Sequence, residues 1–129
     1  MWFTLVALAA PIDTPLVLPR AKGVRVELVE PPVGTAVFVG ERELVGLAYR
    51  PDRLATAQGH LAFVSSLTGL ASVWIVPLDG SSAPRQLTNV GLRKDRSDFV
   101  APPAEAPTFR GAFLLWRDGA GAMHRVRWR

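Results

Sequence analysis

Catalysis needs nucleophiles, bases or metal ligands gathered at useful spacings, and side chains able to serve are sparse in this chain. It has no cysteine, hence no disulfide framework, thiol nucleophile or thiolate metal site. Its two histidines, His60 and His124, belong to no His-x-x-x-His or His-x-Asp grouping. A metal ion asks for several convergent ligands, so no metal site is expected. His124 alternates with Val126 and Trp128 on one face of the closing strand, the place of a packing residue. His60 opens a strand and is expected at the surface. The serines are Ser65, Ser66, Ser72, Ser81, Ser82 and Ser97, and none sits in the Gly-x-Ser-x-Gly elbow of a hydrolase. Three of the six aspartates, Asp52, Asp79 and Asp118, lie beside Gly or Pro, where a carboxylate caps its own turn; Asp79-Gly80 and Asp118-Gly119 read as turns. No phosphate loop, dinucleotide fingerprint or calcium-loop spacing occurs. The chain therefore reads as non-catalytic, with no cofactor.

Its charge is more distinctive. Net charge is +4, and the basic side chains are thirteen arginines against two lysines. The closing strand places Arg125, Arg127 and Arg129 on one face, opposite His124, Val126 and Trp128. Such a row could contact an anion, on nucleic acid or on lipid head groups. It could equally be a solvated strand face that discourages edge-to-edge pairing. The modest net charge, with acidic residues spread through the chain, favours the second and argues against nucleic acid as a partner.

Those residues must be carried by strands. Leu61–Ser65 is a short apolar run, Gly69 marks a turn, and Ser72–Leu78 is a second run rich in β-branched and aromatic residues, closed by Asp79-Gly80. Two such runs form a β-hairpin that must bury a face against something else. We expect Phe63, Val73 and Ile75 to be buried, Gly69 and Gly119 to sit in turns, and the second strand either to stop at Pro77, which cannot donate to a ladder, or to face an unpaired side there. Sliding the chain by about fifty positions, a period typical of stacked repeats, brings Phe63 onto Phe113, Gly69 onto Gly119, Val76 onto Val126 and Leu78 onto Trp128. The second copy, Gly111–Arg129, should accordingly bury Phe113, Leu115 and Val126.

This pattern resembles the TolB-type β-propeller repeat, which also occurs in the propeller domains of prolyl oligopeptidase relatives. Leu61-Ala62-Phe63-Val64-Ser65, Val73-Trp74-Ile75-Val76, Asp79-Gly80 and Gln86-Leu87-Thr88 match the successive parts of one blade. Tyr49-Arg50-Pro51-Asp52 matches its lead, about half a dozen residues too far upstream, and Ala106–Gly111 is a degraded lead for the second copy. Repeat-like units thus lie at about 49–88 and 106–129. The resemblance implies protein–protein contact at the cell envelope. A regulatory remnant of a prolyl oligopeptidase-like enzyme is the alternative, and a basic nucleic-acid-binding β domain a third.

The remaining segments complete the outline. Met1–Ala10 is apolar and ends in Ala7-Leu8-Ala9, a small-x-small cleavage pattern, although it lacks a positive n-region. We expect a short signal peptide and a periplasmic or secreted protein, a buried first strand in a cytoplasmic one being the alternative. Ten residues cannot span a bilayer. Residues 11–23, with Pro11, Pro15 and Pro19, read as a linker to a β domain over 24–129. Val24–Glu30, Thr35–Val39 and Leu44–Tyr49 read as strands, Glu41–Glu43 as a turn, and Asp52–Gln58 as one helical turn ended by Gly59. Asn89–Pro107 is long for a structureless loop, so Ser97–Ala101 should pair with something. The fold expected is all-β, with antiparallel hairpins forming partial propeller blades, or else a small open sheet or barrel. With at most three blades where complete rings hold typically about 4–8, bare edges and a bare blade face should drive self-association or protein partnership.

Overall fold

The computed structural model describes residues 24–29, 34–91 and 98–129. The segments expected to be signal peptide and linker, residues 1–23, together with residues 30–33 and 92–97, fall outside them. The described chain is all-β, with a single three-residue 3-10 turn and otherwise only strands and loops. None of its helices is long and apolar enough to cross a membrane.

Three antiparallel meanders follow one another. The first comprises β1 (Val24–Val29), β2 (Gly34–Val39) and β3 (Arg42–Val45). The second comprises β4 (Asp52–Ala57), β5 (His60–Ser65), β6 (Ser72–Pro77) and β7 (Arg85–Gln86), in that order. The third comprises β8 (Thr108–Arg110), β9 (Phe113–Arg117) and β10 (Met123–Arg127). No sheet among them closes into a barrel.

The sheets stack face to face with the four-stranded one in the middle. One layer packs Val37 and Val45 of the first sheet on Leu54, Leu61, Phe63, Trp74 and Val76 of the second. The other packs Ala62, Val73 and Ile75 on Leu114, Trp116 and Trp128 of the third. Every residue from Leu61 to Ser65 and from Ser72 to Val76 is therefore buried, which is why both runs are almost continuously apolar. Trp74, Trp116 and Trp128 are buried between sheets of this chain.

Several expectations are corrected. Residues 52–57 form a strand rather than a helical turn, because Gln58 and Gly59, at φ 52° and 72°, make a two-residue hairpin that pairs Ala57 with His60. The strand expected over Leu44–Tyr49 begins at Arg42, where a turn was read, and ends at Val45. Leu47–Tyr49 is instead a 3-10 turn that swings the Tyr49 ring edge-on to Phe63 and Trp74, at 5.9 and 5.4 Å. The Tyr49 carbonyl there accepts the Ser65 hydroxyl at 2.5 Å. Around Val100 no strand forms; that residue is held by the Asn89 side chain.

The most informative correction concerns the repeat. Leu61 pairs with Val76 and Phe63 with Trp74; in the third sheet Leu114 pairs with Val126 and Trp116 with His124. The second strands of the two hairpins are thus related by the expected 50 positions, but the first strands by 53. The turn between β9 and β10 is three residues shorter, and an odd offset turns every side chain of a strand to the opposite face. Leu114 and Trp116 consequently face the core, while Phe113 and Leu115, expected inside, are half-exposed outside; Val126 is half-buried.

Candidate functional site

The outward side of the third sheet is built from three short strands in register. Arg110, Phe113 and Arg127 form one row across it, and Thr108, Leu115 and Arg125 the next. Arg117 and Met123 pair at the turn end. The strands alternate strictly, so burying Leu114, Trp116 and Trp128 commits the residues between them to this outward face. Met123 is 57% exposed.

The two sheet offsets show what has been replaced. Where the second sheet offers Ala62, Val64, Val73 and Ile75 on the side toward its neighbour, the third offers Leu115, Arg117, Met123 and Arg125. Two positions that are aliphatic in the second sheet are arginine in the third. This face is thus not the apolar surface that joins one sheet of the chain to the next.

Phe113 organises the cations. The Arg125 guanidinium lies 4.9 Å and that of Arg127 5.6 Å from its ring centroid, within cation–π range. Among the described residues no aspartate or glutamate side chain makes an ion pair with Arg110, Arg117, Arg125 or Arg127; Arg127 Nε donates to Arg129 O at 3.1 Å and Arg117 Nη1 to Gly121 O at 3.5 Å. Four guanidinium groups with no aspartate or glutamate partner among the described residues surround Phe113, Leu115 and Met123, a surface that attracts anions and also has apolar area to bury. A shallow hollow beside it, between the Ala104–Ala106 segment and β9, is edged by Arg110, Arg117 and Glu105.

Of the three arginines singled out in the sequence, the structure brings two together. Arg129 lies beyond β10, sits over Trp128 with its guanidinium 5.0 Å from the ring, and donates to the Gln58 side chain of the second sheet. Arg110 and Arg117 belong to the cluster and were missed. Their signal was available, since Arg117 has the same parity as Phe113 and Leu115, but the constant fifty-residue slide placed those two residues inside.

The backbone of β10 adds a second property. Asp118 N donates to Ala122 O and Trp128 N to Ala112 O, both at 2.9 Å, which makes His124 and Val126 the residues that exchange hydrogen bonds with β9. The N–H and C=O groups of Met123, Arg125 and Arg127 then point to the other side. There no strand among the described residues pairs with them. At the equivalent edge of β6 the chain provides β7, which sets Arg85 opposite Ile75 and Gln86 opposite Trp74. Leu87 N donates to Val73 O at 2.8 Å, and Val73 N donates to the Thr88 hydroxyl at 2.9 Å, so the Leu-Thr pair finishes the strand.

The remaining polar residues are engaged in structure. His124 Nε2 is 2.7 Å from Asp118 Oδ2, and its ring stacks on Trp116 at 5.6 Å. Asp118 Oδ1 accepts the backbone N–H groups of Ala120 and Ala122, so this carboxylate ties the β9–β10 turn together. The His124 contact and those N–H donors hold its pKa below the ordinary aspartate value. Asp79 likewise accepts Ser81 N. His60, expected at the surface, is half-buried with its ring 4.7 Å from that of Trp128. Ser65 and Ser72 spend their hydroxyls on the Tyr49 and Leu70 carbonyls. Among the described residues there is no group of three or more metal-ligating side chains.

No family model matches the chain, and neither a curated protein nor a solved structure matches it significantly.

Proposed function

We propose that this chain is a non-catalytic binding or scaffold module of the bacterial cell envelope, related to TolB-type propeller repeats, which engages a protein partner through the outward face of its third sheet. The observation that carries the reading is the exchange of inter-sheet aliphatic positions for Arg117 and Arg125 on that face. A charged, half-apolar surface that no aspartate or glutamate among the described residues neutralises suits docking of an anionic partner better than continued stacking of sheets. Support for the repeat relationship comes from the face-to-face stacking of meanders and from the Leu87-Thr88 closure of the four-stranded sheet. Support for the envelope comes from the Ala7-Leu8-Ala9 pattern.

Site-specific photo-crosslinking tests this. With a photoreactive amino acid at Met123, discrete protein adducts are expected in the source cells. Adducts consisting only of lipid, or abolished by nuclease, would overturn the reading. Mass spectrometry of the cellular protein tests the export half, which an intact Met1 on the mature protein would sink.

A further inference from the structure

The edge of β10 that no strand among the described residues pairs, and the arginine face, belong to the same three residues. Met123, Arg125 and Arg127 send their backbone groups to the outer edge, and Arg125 and Arg127 hold their side chains over Phe113 on the outward face. We infer that β10 accepts an added strand from an acidic, extended segment of a partner protein, whose carboxylates stand beside Arg125 and Arg127. The inference rests on the docking reading above and names the partner's chemistry.

Pairing at the equivalent edge within the chain shows what is required. There β7 sets Arg85 opposite Ile75, an aliphatic residue indifferent to charge. The position corresponding to Ile75 is Arg125, so a strand like β7 would oppose two cations, whereas a glutamate or aspartate would complement the pair. On the other side of the added strand the neighbours are His124, Val126 and the buried Trp128, which favour apolar residues. The segment that fits therefore alternates acidic and apolar side chains. Main-chain hydrogen bonds would supply affinity and the carboxylate row specificity. A flat nucleobase is poorly served here, since the one aromatic ring of the face is already covered by two guanidinium groups. A fully apolar strand would leave Arg125 and Arg127 without counterions.

The test uses the chain of residues 1–129 and a fluorescent seven-residue peptide alternating glutamate and valine. Anisotropy should show saturable binding that weakens ~10-fold or more when Arg125→Gln and Arg127→Gln are combined. The lysine–valine analogue should not bind. Peptides methylated on alternate backbone nitrogens should differ, with the parity that faces the edge losing binding. Amide exchange at Met123, Arg125 and Arg127 should slow when the glutamate–valine peptide is added. Equal binding of the lysine peptide, indifference to the arginine substitutions, or unchanged exchange would each overturn strand addition. So would amides already protected without peptide, the result expected if a second copy or another segment occupies the edge. Protein adducts at Met123 together with any of these failures would remove strand addition and leave the docking reading standing.

Discussion

Asn89 and Val100 grip each other as two strands would. Val100 N donates to Asn89 Oδ1 at 2.7 Å, and Asn89 Nδ2 donates to Val100 O at 2.9 Å. One side chain thereby replaces a ladder rung and anchors the long connection between the second and third sheets. Asn89 holds φ 57°, a left-handed conformation that asparagine tolerates better than most residues. Its Nδ2 also reaches the Ala71 carbonyl.

Replacing Asn89 with alanine should cost about 2–3 kcal/mol, because buried backbone groups lose their partners. Urea unfolding measures the loss. Exchange at the Val100 amide should accelerate beyond what the global loss explains, and a variant as stable as the parent would show that the side chain is dispensable.

The register of the third sheet makes a sharper pair. Leu114→Ala removes a fully buried side chain and should cost roughly 2–5 kcal/mol, whereas Leu115→Ala, on the half-exposed face, should cost about 1 kcal/mol or less. Equal losses, or a larger one at Leu115, would restore the inward orientation that the constant repeat offset implies.

How much was legible follows from this pair. The second sheet could be read directly, because burial on both faces writes β5 and β6 as apolar runs bounded by turn residues. Pro77 ended β6 and Gly69 took its turn as expected. The third sheet was harder, since one buried face leaves only alternation, and the alternation of Phe113-Leu114-Leu115-Trp116 is apolar in both parities. Only the shortened turn decides between them. Gln58-Gly59 was misread because alanines on either side of Thr56 suit a helix, while the hairpin partner lies across the turn. The arginine cluster was half visible: one strand carried Arg125 and Arg127, and the register brought Arg110 and Arg117.

Asp118 gives a pH prediction. Its folded-state pKa lies below the ordinary value, so as pH falls the unfolded chain takes up the proton first. Its stabilisation is complete above about pH 4, the unfolded aspartate range, and is lost as pH falls through the lower folded value. Denaturation midpoints measured from neutral pH downward should therefore fall less steeply for Asp118→Asn than for the parent. Parallel curves would remove the carboxylate from the account of that turn.

Two tryptophans should respond differently to the same change. Trp116 Nε1 donates to the Ala101 carbonyl at 2.9 Å, while Trp74 Nε1 is buried and has no hydrogen-bond partner among the described residues. Trp116→Phe deletes a bond and strands a carbonyl; Trp74→Phe deletes only an unsatisfied donor. Thermal unfolding should place Trp116→Phe about 1 kcal/mol or more below Trp74→Phe, and the reverse order would mean that indole volume outweighs hydrogen bonding at both sites.

The sandwiching of the second sheet also dictates an order of events as the chain emerges N-terminus first, whether from the ribosome or from an export channel. Synthesis releases residues 24–86 first, and these can close the layer containing Phe63 and Trp74 at once. The opposite side, with Ala62, Val73 and Ile75, stays wet until Leu114 and then Trp128 have emerged. During that interval the nascent chain carries an aliphatic surface with no cover of its own. The long connection from Asn89 to Pro107 lengthens the wait.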